Sequence, residues 1–188
     1  MPKLTIHVGV SGISETLVLE QLAHNTGYMR KDNCGCVPKN GMCYTDGSDV
    51  IQSSIRMDLI SSTVNKATCV KLPCVKSTDP GRFLCDFTYY LSLVEDKCRS
   101  AFIHVPMLHM FTAEEIAAAL AIAIKEMSTI LLSSLRFSVS KSSTLAWRIP
   151  TFSASAFASA GFMFMVTISV LSIATLPCKL TTSFTFEP

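Results

Sequence analysis

Apolar and polar residues alternate from Leu4 to Val10, with Leu4, Ile6, Val8 and Val10 on one side and Thr5, His7 and Gly9 on the other. That period of two predicts a strand ending at the Ser11-Gly12 turn. Thr16–Leu19 predicts a second short strand, and Gly27–Gly47, with its Asn, Asp, Gly, Pro and Cys residues, reads as loop. From residue 54 to about 66, Ile55, Leu59, Ile60 and Val64 fall at helical spacing, and Cys69–Val75 reads as a buried strand interrupted by Pro73. After a turn over Ser77–Gly81, the stripe Phe83, Phe87, Tyr90, Leu91 and Val94 predicts a helix that packs on that face. Cys85 groups with Thr88, Tyr89 and Ser92 and is therefore expected off the main packing face. Ala101–Val105 predicts a strand stopped by Pro106, and Thr112-Ala113-Glu114-Glu115 is a capping box. Behind it Ile116, Leu120, Ala123, Met127, Ile130 and Leu131 continue one helical face.

Strands alternating with helices predict an α/β fold, a layered α/β/α domain with a mostly parallel sheet. A chain of 188 residues holds one such domain with room for an appendage. Composition breaks near residue 135, and no acidic residue lies between Glu126 and Glu187. The expected organisation is an α/β domain over residues 1–135 and a Ser/Thr-rich apolar extension over 136–188. Within the extension, 152–176 is a candidate membrane segment, weighed against a loosely packed extension and a core element. Arg136, Lys141 and Arg148 before it would hold the main domain on the cytosolic side if it inserted.

Charge narrows the partners. The net charge is +2 and 16% of residues are charged, which excludes the composition of a disordered chain. Basic residues form no stripe, so nucleic acid is not an expected partner. Met1-Pro2-Lys3 leads into a strand pattern and not a leader's apolar run, so free thiols and a cytoplasmic location are expected.

Three residues share a placement. Cys85 falls in the first turn of a predicted helix, where the positive end of the helix dipole favours thiolate. The competing reading is an inert buried cysteine. His104 sits at the carboxyl end of the strand 101–105, facing away from Ala101, Ile103 and Val105, and Glu20 closes the run Thr16–Leu19. Open α/β sheets carry their sites at such strand ends, against which stand a satisfied core histidine and a solvated edge carboxylate. Cys34, Cys36 and Cys43 lack a Cys-x-x-Cys pair, and His24 is the only nearby histidine, so they read as a thiol-containing loop and no metal is expected.

The stretches His7-Val8-Gly9-Val10-Ser11-Gly12, Leu19-Glu20, His24-Asn25-Thr26-Gly27-Tyr28 and Asp32-Asn33-Cys34 resemble the pyroglutamyl-peptidase I family of cysteine peptidases, its vertebrate members above all. So do Gly81-Arg82-Phe83-Leu84-Cys85-Asp86-Phe87-Thr88-Tyr89-Tyr90 and Arg99-Ser100-Ala101-Phe102-Ile103-His104-Val105-Pro106. The resemblance covers roughly residues 3–132 and implies that Glu20, Cys85 and His104 form a Glu-Cys-His triad. It implies a thiol-dependent hydrolase acting on peptides with an N-terminal pyroglutamate, without cofactor or metal. Family members carry a Gly-Phe-Gly-Pro-Phe-like segment ahead of the matched region, and Pro80 stands where they have a small residue. Weak or lost activity and an open edge along the strand 3–10 are therefore expected. The alternative reading is an inactive family remnant with an interaction or membrane-associated role.

Overall fold

A computed structural model describes residues 4–32, 34–136 and 165–170. Its strands are β1 (Leu4–Val10), β2 (Leu17–Glu20), β3 (Leu22–His24), β4 (Val50–Gln52), β5 (Cys74–Ser77), β6 (Ser100–Val105) and β7 (Met165–Val170). Its α-helices are α1 (Met57–Lys66), α2 (Leu84–Asp96) and α3 (Ala113–Arg136). Five strands form the main sheet in the order β5-β2-β6-β1-β7, and β3 pairs with β4 in a separate ribbon. β1 runs parallel to β6 and β2 parallel to β5. Antiparallel pairing joins β2 to β6 and β7 to β1. A parallel pair needs a crossover, and α1 supplies it between β2 and β5.

The expected α/β layering is present. On one face of the sheet Leu4, Ile6, Val8, Leu17, Leu19, Ala101 and Ile103 pack with Ile60 and Val64 of α1 and with Ile116, Leu120 and Met127 of α3. Each such side chain, fully buried, contributes about 1.5–3 kcal/mol of hydrophobic stabilisation. On the other face Cys85, Tyr89, Tyr90 and Leu93 of α2 pack against Phe102 and Ala23. Because side chains alternate along a strand, β1, β2 and β6 each send one set of residues to α1 and α3 and the other set to α2.

Local chemistry sets the element ends. Thr112 Oγ1 accepts from Glu115 N at 3.3 Å and Glu115 Oε2 accepts from Thr112 N at 3.1 Å, so the capping box starts α3 as its sequence predicts. α1 begins later than residue 54, because the approach to it is held in non-helical form by Gln21. That side chain donates to the carbonyls of Ser53 and Ile55 and accepts from Met57 N. β5 likewise starts at Cys74 and not at Cys69. Pro73 has no amide to donate, and Asn65 takes up the Cys74 backbone N–H and C=O with its side-chain amide, at 2.8 and 2.7 Å.

Among the described residues α3 is the one helix long and apolar enough to cross a membrane, over Ala113–Ser133. Its buried face belongs to the core on the α1 side, which accounts for that composition. Of the predicted extension over 136–188, with its candidate segment 152–176, only Arg136 and Met165–Val170 lie among the described residues. Arg136 ends α3, and Met165–Val170 forms β7 on the outer edge of β1, the edge expected to be open.

Candidate functional site

The antiparallel register of β2 and β6 sets Val18 opposite His104 and Glu20 opposite Phe102. His104 points to the α2 face, away from Ala101, Ile103 and Val105, as their alternation requires. There His104 Nδ1 meets Glu20 Oε1 at 2.8 Å. The pair is buried, with Glu20 at 2% and His104 at 8% exposure. Glu20 Oε2 is buried with no hydrogen-bond partner among the described residues. The Phe102 ring lies 4.8 Å from that of His104, centroid to centroid, and walls the imidazole on one side.

Cys85 stands in the first turn of α2, and its side chain is buried. Here the structure corrects the sequence reading: α2 packs through Cys85, Asp86, Tyr89, Tyr90 and Leu93, while Leu91 and Val94 of the predicted face are largely exposed. The tyrosines make the difference, since both hydroxyls find backbone carbonyl acceptors. Tyr89 Oη donates to the Glu20 carbonyl at 3.0 Å and Tyr90 Oη to the Ser48 carbonyl at 2.6 Å. Tyr89 thereby ties α2 directly to the end of β2 that carries Glu20.

A cleft of about 350 Å³ contains both Cys85 and His104, together with Gly12, Met29, Arg30 and Phe83 on its walls. Glu20 lies behind His104, outside the lining. Two larger surface clefts, beside Tyr44 and beside Gln52, contain neither a cysteine nor a histidine. The buried Pro80 also lines the site cleft, followed by Gly81 with φ +84°, a conformation that favours glycine.

The helix start alone favours a thiolate. In the folded protein burial outweighs it and, with the negative charges of Glu20 and Asp86, pushes the Cys85 thiol up to about 11. The expectation of an activated thiolate in the free protein is therefore corrected.

Two contributors went unassigned in the sequence. Gly9 pairs in register with His104, and a Cβ at Gly9 would meet Phe102 Cζ at 3.0 Å and Cys85 Sγ at 3.2 Å. Its lack of a side chain lets α2 approach the sheet, a close-packing signal carried by a glycine inside a strand. Asp86 is fully buried, accepts from His24 N at 3.0 Å, and faces His24 Nδ1 at 3.4 Å and Arg82 Nη1 at 3.5 Å. It fastens the start of α2 to the end of β3. The loop cysteines Cys34 and Cys36 are exposed, and the Cys43 thiol donates to the Phe87 carbonyl at 3.4 Å. No group of three or more His, Cys, Asp or Glu residues able to hold a metal occurs among the described residues.

Comparison with known proteins gives the family. Residues 1–109 match the family model of pyroglutamyl peptidases, PgaPase_1. The chain belongs to the pyroglutamyl-peptidase family. It is 43% identical over 131 residues to human pyroglutamyl-peptidase 1, covering 69% of this chain and 62% of that one. The human pyroglutamyl-peptidase 1-like protein is 35% identical over 127 residues, covering 67% of this chain and 63% of its own length. The chain thus spans somewhat under two thirds of these relatives. Among solved structures, pyrrolidone carboxyl peptidase from Pyrococcus furiosus superposes with a TM-score of 0.61 at 22% identity, over 69% of this chain and 71% of that one. The Thermococcus litoralis enzyme gives a TM-score of 0.60 at 18% identity, over 76% and 71%. At such identities the likeness is one of fold, and it is the α/β fold of the pyroglutamyl-peptidase family.

Proposed function

We propose that the protein is a thiol-dependent omega peptidase that removes N-terminal pyroglutamate from peptides, with Cys85 as nucleophile, His104 as general base and acid, and Glu20 orienting the imidazole. The observation that carries this reading is the 2.8 Å pair of His104 and Glu20, with His104 lining the same recess as Cys85. Glu20 accepts the Nδ1 proton, which leaves Nε2 as the nitrogen that takes the proton from Sγ. The thiolate attacks the carbonyl carbon joining pyroglutamate to the next residue. The C–N bond then breaks as the imidazolium gives its proton to the departing amine, and a thioester remains on Cys85. Water, losing a proton to His104, attacks the thioester; the C–S bond breaks, and the proton returns to sulfur. A thiol raised to about 11 makes transfer to His104 part of the barrier, and Glu20 offsets it by stabilising the imidazolium.

The seven described cysteines are all free, which supports a reducing, cytoplasmic setting. The deciding experiment is release of a fluorogenic amine from pyroglutamate by the purified chain, beside Cys85→Ala and His104→Ala. The expected result is turnover in the parent and nearly complete loss in both variants, since nucleophile and base act as a unit. Parent-level rates in either variant would overturn the assignment. The second reading is a family member with a binding role and no turnover. It is the outcome if the parent binds pyroglutamyl peptides and releases nothing.

A further inference from the structure

The cleft that contains Cys85 and His104 is also lined by two arginines, Arg82 and Arg30, and their surroundings differ. Arg82 is neutralised within the protein: its Nη1 lies 2.6 Å from Asp79 Oδ1 and 3.5 Å from Asp86 Oδ2. Arg30 has no carboxylate partner among the described residues. The nearest acid in sequence, Asp32, spends Oδ1 on the backbone amides of Cys34 and Cys36, at 2.9 and 2.8 Å. Arg30 is exposed, and its guanidinium carbon sits 4.4 Å over the centre of the Phe83 ring. Stacking of this kind fixes the plane of the fork and leaves its N–H edge open for a planar anion. Phe83 is the residue that caps α2, two positions before Cys85, so the stacked cation is built onto the nucleophile's own turn.

The pyroglutamyl ring is a neutral lactam and presents no charge for a cation to meet. A partnerless, pre-oriented guanidinium in this cleft complements something on the other side of the scissile bond. Resting on the peptidase reading above, we propose that Arg30, stacked on Phe83, is a subsite for a carboxylate on the residue that follows pyroglutamate. That carboxylate is either the free C-terminus of a dipeptide or an acidic side chain. A guanidinium binds both through the same two-pronged, charge-assisted contact.

The test measures equilibrium binding by calorimetry on the full chain carrying Cys85→Ala, which leaves peptides intact. Three ligands are compared: pyroglutamyl-alanine, its C-terminal amide, and pyroglutamyl-glutamic acid α-amide. The expected result is that at least one carboxylate ligand binds about fivefold to tenfold more tightly than the neutral amide, the range for a partly exposed charged contact. That preference should vanish with Arg30→Ala, persist in part with Arg30→Lys, and shrink as salt is raised. Preference for pyroglutamyl-alanine alone assigns the C-terminal carboxylate, and preference for the glutamic acid amide alone assigns the side chain. Equal binding of all three ligands overturns the subsite. So does no binding at all, or an equal weakening of all three by Arg30→Ala, which would put Arg30 on the lactam or in the fold. Turnover by the chain with Cys85 intact is scored separately. A carboxylate preference without turnover keeps the subsite and rejects the peptidase.

Discussion

Glu20 and His104 stand on antiparallel neighbours, each at the end of its strand, and their side chains meet at 2.8 Å on the face covered by α2. Both are buried, so the carboxylate acts on the imidazole with little screening from water. Replacing it with a neutral group of equal size isolates that charge.

Glu20→Gln is expected to lower kcat by about 10²- to 10⁴-fold, the usual worth of assisted proton transfer, with KM little changed. Steady-state kinetics on a pyroglutamyl amide check this, and a kcat equal to that of the parent would remove Glu20 from the mechanism.

The Cys85 thiol, pushed up to about 11 by burial, Glu20 and Asp86, is expected to alkylate at pH 8 more slowly than the exposed Cys98. Asp86→Asn preserves an acceptor for the His24 amide and removes one negative charge facing the thiol, so alkylation of Cys85 should accelerate. Mass spectrometry of quenched time points resolves the two sites. No acceleration in the variant would mean that Asp86 does not influence the thiol.

Gly9 is held tightly, since a side chain there would place its Cβ only 3.0 Å from Phe102 Cζ. Gly9→Ala is expected to cost about 1–3 kcal/mol of stability through overpacking, and to shift α2 outward at Cys85. Urea unfolding gives the first quantity and pyroglutamyl-amide turnover the second. An unchanged urea midpoint would show that the sheet yields freely there.

His7 is buried beside Ser92, with Nε2 and Oγ 2.6 Å apart, and burial lowers its pKa from 6.5 to about 4. The unfolded chain therefore takes up a proton near pH 6.5 that the folded chain refuses until about pH 4. Stability from this group is fully present above pH 6.5 and declines as pH falls toward 4, by on the order of 3 kcal/mol. Denaturant unfolding between pH 7 and pH 4 should show the decline, and His7→Gln should flatten it. An identical slope in the variant would assign the acid sensitivity elsewhere.

The candidate site was legible where the chain repeats a simple period. Alternation in β1 and β6 gave the sheet and the direction of His104, and the Thr112–Glu115 box gave the start of α3. Cys85, His104 and Glu20 were named from element ends and from resemblance, and the fold brings them to the side of the sheet covered by α2. The phase of α2 was not legible, because both of its long stripes are apolar. The buried one also contains Asp86, whose cost is offset by His24, 62 residues away, as well as by Arg82 in the preceding turn. β3 and β4 were missed because each spans three residues inside a polar stretch, and their pairing is specified by contact with α2 and not by local pattern.

β7 completes the sheet from a point far along the chain, with Gly9 paired to Met165 and Leu4 to Val170. During synthesis β1 leaves the ribosome well before β7, so its outer hydrogen-bonding edge waits for the last strand described. In that interval the row of amides and carbonyls is a template for any extended segment nearby, including another nascent copy of the same chain. The pace at which residues beyond α3 emerge thus sets how long a newly made molecule is exposed to the wrong partner.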